Sequence, residues 1–209
     1  YQSTHELLED LLNARKVLVE DHRGLFLNLL DAVILKVRIF GFYFASMDIR
    51  QDSRKHAYAW DAIFKQLQTK NKAVKDFDKL GEAEQINTLL KLKFKPQALK
   101  FEDDFITDLI KSISVIEKIQ QQNGVEGCHR YVISNCRSAL DVIKVYQLAK
   151  LILAKGDDFP LDIVPLFETI EDLANAQAVM DALYSIPDYR NHVKRRGDKQ
   201  TIMLGFSDG

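Results

Sequence analysis

The chain is poor in the features that mark specialised architectures. It has only two cysteines, Cys128 and Cys136, in 209 residues. Their spacing fits neither a zinc knuckle nor a redox pair, and two cysteines make a poor disulfide framework. They read as reduced thiols in a cytoplasmic protein. No charge sign dominates: 29 Lys and Arg face 30 Asp and Glu, for a net charge of -1. That balance gives no global pull toward nucleic acid or an anionic membrane. Long apolar runs are missing as well. The most apolar helical stretch, Leu25 to Phe40, is interrupted by Asp31, Lys36 and Arg38, so nothing here spans a bilayer. The five histidines show no metal-binding spacing and no nucleophilic triad pattern. There is no internal repeat and no low-complexity segment. What remains is 46% hydrophobic residues, which excludes disorder and allows one substantial core.

Against that background one design recurs. A short apolar run ends in charge just before a helical pattern. Phe42 to Ile49, followed by Arg50, is the first case; Asp162 to Glu168 is the second; Gln200 to Phe206, followed by Ser207 and Asp208, is the third. Arg130 to Ser134 is a weaker fourth. Continuous apolar runs of this length predict strands buried on both faces, as in parallel sheets covered by helices.

Helical patterns fill the rest. Ser3 and Glu6 predict a capping box for a helix to about Glu20, and Gly41 stops a second helix begun at Leu25. Further helices are predicted from about Ser53, over Glu82 to Lys93, Phe101 to Gln122, Ser138 to Ala154 and Glu171 to Leu183. The stretch His192 to Lys199 predicts a loop, with its basic run solvated. Alternating strands and helices imply parallel strands joined by crossovers. Four strands are half of what a barrel needs. The expected fold class is therefore α/β and predominantly helical: a partial TIM-like β/α barrel of about four parallel strands with extra packed helices. Residues 1–41 form helices leading into it. Residues 42–209 form the half barrel, with a helical insert at about 69–128. The chain starts without methionine at Tyr1 and stops at Gly209, just after a candidate strand. We expect a piece of a longer polypeptide.

Charged residues at the carboxyl ends of such strands are placed for chemistry rather than packing. Glu168 and Asp208 occupy matching positions on successive strands, and adjacent strand ends lie about 5 Å apart. Two carboxylates there can share a divalent cation such as Mg²⁺. The alternative is that each caps the next helix or pairs with a lysine. Arg50 offers a planar fork for phosphate or carboxylate. Its competing role is structural, in a salt bridge of the Asp48–Arg50 or Asp52–Arg54 kind.

The segments carrying these residues resemble a known family. Phe40-Gly41-Phe42 with Asp48-Ile49-Arg50-Gln51-Asp52-Ser53 is similar to the FG…LDIRQES signature of phosphoenolpyruvate carboxylase. Arg130-Tyr131-Val132-Ile133-Ser134, with Ser138 and Asp141, resembles its RYVIS…S..D segment. Val164-Pro165-Leu166-Phe167-Glu168-Thr169, then Asp172-Leu173 and Asn175-Ala176, resembles VPLFETLDDLxNA. Tyr189-Arg190-Asn191 and Gly205-Phe206-Ser207-Asp208 resemble the YRN and GYSDS elements. The matches fall in order from about residue 25 to the end. Phe206 replaces the family's tyrosine, Gly209 its following serine, and Ile170-Glu171 its Leu-Asp.

The resemblance implies a lyase that fixes carbon dioxide, feeding the tricarboxylic acid cycle. It forms oxaloacetate and phosphate from phosphoenolpyruvate and bicarbonate, through carboxyphosphate and an enolate, with Mg²⁺ or Mn²⁺. It implies Glu168 and Asp208 as metal ligands and Arg50 as the catalytic and substrate-binding arginine. It also implies a cytoplasmic homotetramer as the full-length protein, with no nucleic-acid or membrane partner. The family's TAHPTE histidine motif and its glycine- and arginine-rich loop are not in this sequence, so the 209-residue chain alone is expected to be inactive. Rival readings are another Mg²⁺-dependent phosphoenolpyruvate or enolate barrel enzyme, and a non-catalytic regulatory or assembly piece.

Overall fold

Helix boundaries follow local chemistry. Helix α1 (Thr4–Glu20) starts at Ser3, whose hydroxyl accepts the Glu6 N–H. The Glu6 carboxylate reaches back one residue further than a capping box requires, to the Gln2 N–H. Helix α2 (Leu27–Phe40) stops at Gly41, which adopts φ +50°, a conformation open to glycine. The computed structural model describes residues 1–68 and 74–205. The start of the lysine-rich insert at 69–73, and Phe206, Ser207, Asp208 and Gly209, lie outside the described residues.

Beyond α2 the order is β1 (Asp48–Asp52), α3 (Ser53–Leu67), α4 (Glu82–Lys91), α5 (Asp104–Asn123), β2 (Arg130–Ser134), α6 (Ala139–Leu153), β3 (Asp162–Phe167), α7 (Ile170–Ser185), α8 (Pro187–Arg195) and β4 (Met203–Leu204). The four strands form one parallel sheet in the order β1-β2-β3-β4. The class is thus α/β and mainly helical, as the alternating pattern predicts.

Contacts divide the chain into two units. The first comprises Tyr1–Met47 and Lys118–Cys128. Its two helices are joined by the Arg15–Asp31 ion pair at 2.7 Å, and Thr4 Oγ1 accepts the Phe42 N–H. Helix α2 buries only Ile34. The second unit, Asp48–Glu117 and the chain from His129, holds the sheet. Its core draws on the sheet and on α3, α5 and α6. Trp60, Ile63, Ile113, Ile116, Tyr131, Ile143 and Leu148 are all fully buried there. Trp60 donates its ring N–H to the Lys144 carbonyl at 2.9 Å, so the indole is buried without an orphaned donor. The opposite face of β2 and β3 carries the buried cluster Val132, Val164 and Leu166, giving strands that are apolar on both sides.

Two predicted elements are corrected. The apolar run Phe42 to Met47 is not a strand. Phe44 lies at φ +60° and its N–H returns to the Phe40 carbonyl at 2.7 Å, with the two rings stacked at 5.3 Å. Aromatic pairing across a turn accounts for the run, and the strand that joins β2 is the polar segment Asp48–Asp52. The second correction is the basic loop. Pro187, with its φ preset and no N–H to satisfy, opens α8 at the first helical position. That helix carries His192, 2% exposed, against Tyr146, Phe159 and Tyr189. Arg196 pairs with Asp162 at 2.6 Å. Part of the basic run is therefore packing and ion pairing, with only Lys194 and its neighbours on the solvent side.

Candidate functional site

Parallel pairing puts the carboxyl ends of β1, β2 and β3 on one edge of the sheet, and each leads within a few residues to a capped helix. Asp52 ends β1 and is itself the N-cap of α3, its Oδ1 accepting the Arg54 N–H at 2.8 Å. After β2, Ser138 and Asp141 close a capping box on α6. After β3 a single residue, Glu168, precedes Thr169, which forms a capping box with Asp172. Burial alone would raise the Asp172 pKa. Hydrogen bonds from the Thr169 backbone and hydroxyl, with Arg137 nearby, outweigh it and hold the carboxyl below its usual range. Short corners with satisfied caps leave little slack in the residues between strand and helix. Three helix amino-termini therefore converge on this edge, where open α/β sheets and barrels bind anionic ligands.

Arg50 and Glu168 meet there. The Arg50 guanidinium donates to Glu168 Oε1 at 2.7 Å. Arg50 lies in register with Val132 and, through it, Val164, so its side chain crosses the width of β2 to reach the end of β3. The arginine side chain is 56% exposed and the glutamate 20%. The other carboxylate oxygen, Oε2, accepts the Asn135 N–H at 3.2 Å. Asn135 holds φ +53°, a left-handed conformation in which asparagine is enriched. Its carbonyl accepts a hydrogen bond from the buried Ser53 hydroxyl at 2.6 Å. On the far side, β4 runs in register Phe167↔Leu204, and Gly205 donates its N–H to the Phe167 carbonyl at 2.9 Å. A Cβ on Gly205 would stand 3.1 Å from Glu168 Cγ and 3.3 Å from its Cα.

That register corrects one expectation. The residue level with Glu168 on the neighbouring strand is Gly205, not Asp208, which follows three residues later and lies outside the described residues. The structural roles weighed for Arg50 resolve differently as well. Asp48 pairs with Arg130 across the β1–β2 register at 2.8 Å, and Asp52 pairs with Arg54 at 2.6 Å; Arg50 is left to Glu168. Among the described residues, no three His, Cys, Asp or Glu side chains converge as a closed metal site. Among the same residues, no helix is long and apolar enough to cross a membrane.

Comparison with known proteins decides the family. The family model described as phosphoenolpyruvate carboxylase matches residues 1–209. The phosphoenolpyruvate carboxylase of Parasynechococcus marenigrum (strain WH8102) is 36% identical over 191 residues, covering 86% of this chain and 18% of that protein. Those of Gloeobacter violaceus (strain ATCC 29082 / PCC 7421) and Prochlorococcus marinus (strain MIT 9215) are each 33% identical, covering all of this chain and 22% of theirs. The chain belongs to the phosphoenolpyruvate carboxylase family. It spans about a fifth of the length of these curated relatives.

The motifs of the phosphoenolpyruvate carboxylase resemblance map onto this one edge. The DIRQ segment is β1 and supplies Arg50; the RYVIS segment is β2 and leads to Asn135; the VPLFET segment is β3 and supplies Glu168. Sequence reasoning missed Ser53, Asn135 and Gly205. Asn135 and Gly205 act through backbone groups, and only an asparagine directly after a strand and a glycine inside an apolar run hint at them.

Proposed function

We propose that this chain contributes half of the active-site edge of a phosphoenolpyruvate carboxylase, the enzyme that joins bicarbonate to phosphoenolpyruvate to give oxaloacetate and phosphate. The observation that carries the proposal is the Arg50–Glu168 pair at the carboxyl edge of a parallel sheet, in a chain of this family. Arg50 is the anion-binding group. Its exposed guanidinium can exchange Glu168 for the substrate phosphate or for bicarbonate, both of which fit its planar fork. As bicarbonate attacks phosphorus and carboxyphosphate forms, a fixed arginine offsets charge on the transferring group.

Glu168, with Asp208, is the proposed holder of Mg²⁺ or Mn²⁺. The donor chemistry at Glu168 fits a hard cation, which prefers carboxylate oxygen. A bound cation supplies Lewis-acid stabilisation of negative charge on the enolate oxygen. The chain's own contribution is to aim Glu168, through the Asn135 N–H and, until an anion takes the guanidinium, through Arg50. Closure of the four parallel strands into a full barrel by the rest of the parent, its assembly as a homotetramer and a cytoplasmic location belong to the same proposal.

The test is oxaloacetate production by the full-length parent with phosphoenolpyruvate, bicarbonate and Mg²⁺, for wild type, Arg50→Gln and Asp208→Asn. Bicarbonate-dependent turnover in wild type that drops at least 100-fold in both variants is expected, with none from the 209-residue chain alone. Pyruvate formation without carboxylation would support another enolate enzyme. An inactive parent that binds no metal would support a regulatory or assembly role.

A further inference from the structure

The side chain proposed to hold the cation is itself held by groups that the reaction does not consume. Glu168 is the sole residue between β3 and the Thr169 cap, yet its rotamer is not fixed by that cap. Three contacts fix it: the Arg50 guanidinium on Oε1, the Asn135 N–H on Oε2, and the bare Gly205 backbone against its Cα and Cγ. Arg50 has its own task with the anion, and Gly205 only leaves space. The Asn135 N–H is the contact available throughout a reaction cycle, and its direction depends on a peptide held in the left-handed region. Such a conformation costs on the order of 1 kcal/mol for a residue with a side chain. Something must hold it, and the buried Ser53 hydroxyl, 2.6 Å from the Asn135 carbonyl, does so. The Asn135 amide also approaches Ser53 Oγ at 3.5 Å. Ser53 is the buried first residue of α3, in a turn that the Asp52 cap closes.

We infer that Ser53 and Asn135 are positioning residues that set the Glu168 carboxylate for the divalent cation, Ser53 by clamping the Asn135 peptide and Asn135 by donating its N–H. The inference rests on the reading of Glu168 as a metal ligand. It makes the end of β1 act on the end of β3 through the backbone of β2. Groups that orient a ligand in this way typically alter metal affinity or activity 10- to 100-fold when removed. Loss of the clamp leaves the N–H in place but free to turn, so the lower end of that range applies.

The experiment is Mn²⁺ binding to the full-length parent without substrate, read as the loss of the free Mn²⁺ electron paramagnetic resonance signal, with kcat and KM measured alongside. Glu168→Gln in the same series establishes whether the site is the one in question. Ser53→Ala is expected to raise the Mn²⁺ Kd roughly 10-fold. Asn135→Gly keeps both the N–H and the left-handed conformation, and is expected to leave the Kd within 2-fold. Ile63→Val, which trims a fully buried side chain of the same helix, controls for lost stability and is expected to lower the melting temperature without moving the Kd. An unchanged Kd in Ser53→Ala, with wild type binding Mn²⁺ in a Glu168-dependent way, overturns the inference alone. An equal Kd change in Ile63→Val also overturns it, since the effect would then be general loosening. Binding that ignores Glu168→Gln removes the metal-ligand reading, and this inference falls with it.

Discussion

Two histidines in the core are expected to make the fold acid-sensitive. The His56 ring is fully buried on α3 against β2, its Nε2 2.9 Å from the Tyr131 hydroxyl, and its Nδ1 has no partner. Burial pushes its pKa down to about 3, with the Asp52 charge resisting only weakly. Burial likewise holds His192 at about 4, helped by Arg196 and Arg195 and opposed by the Leu161 carbonyl and Asp162. An unfolded histidine titrates near 6.5. Between pH 6.5 and these lowered values the unfolded chain binds protons that the folded chain refuses, so folding weakens as pH falls through 6.5. At 1.36 kcal/mol per unit, each ring costs about 2 kcal/mol at pH 5 relative to neutral pH. The sum, about 4 kcal/mol, rivals the whole stability of a marginal domain.

The single tryptophan, Trp60, is fully buried four residues from His56, so its fluorescence reports the region concerned. Urea unfolding of the 209-residue chain at pH 7, 6 and 5 is expected to show the loss of about 4 kcal/mol between pH 7 and 5. In His56→Gln, which keeps a hydrogen-bonding group for Tyr131 but does not titrate, the loss is expected to halve. Reading the difference between pH values removes any fixed cost of the substitution. The Asp52 carboxyl, held below its usual range chiefly by Arg54, contributes stability lost only as pH falls below about 4, outside this window. A pH 7-to-5 loss in His56→Gln equal to wild type would refute the argument that His56 is a neutral, desolvated group.

Two further outcomes follow from contacts already described. Gly205→Ala places a methyl group 3.1 Å from Glu168 Cγ, so the carboxylate must shift; a several-fold weaker Mn²⁺ affinity of the full-length parent, with little change in melting temperature, is the expected result by the same resonance assay. Tyr131→Phe removes the hydroxyl that pairs with His56 and leaves both ring nitrogens of a buried histidine unpaired, which should cost about 1–3 kcal/mol at pH 7 by urea unfolding.

Legibility in the sequence tracked where each signal came from. Strand β2 is Arg130–Ser134 as its pattern predicts, because Tyr131, Val132 and Ile133 are buried on both faces and a continuous apolar run is what such a strand requires. Strand β1 defeats the same rule. Its residues Asp48, Arg50 and Asp52 are polar and form ion pairs with Arg130, Glu168 and Arg54, while the apolar run before it is taken up by the Phe40–Phe44 turn. Helix α8 was hidden by its charge: Lys194, Arg195 and Arg196 read as a solvated loop, and only Tyr189 and His192, three residues apart, carry the buried stripe.

The site divides along the same line. Arg50 and Glu168 were visible as charges at the carboxyl ends of strands, and the fold brings the two within 2.7 Å. The contacts that fix them were not visible, since they run through the Asn135 amide, the Asn135 carbonyl and the bare backbone of Gly205. A backbone group has no letter of its own in a sequence. It shows only through the residue that tolerates its conformation, and asparagine at φ +53° or a glycine beside Glu168 are faint marks of that kind. The substitutions most informative about this edge are therefore Ser53→Ala and Gly205→Ala. Each leaves the charged groups intact and alters only the frame that aims them, which separates the placement of the carboxylate from its presence.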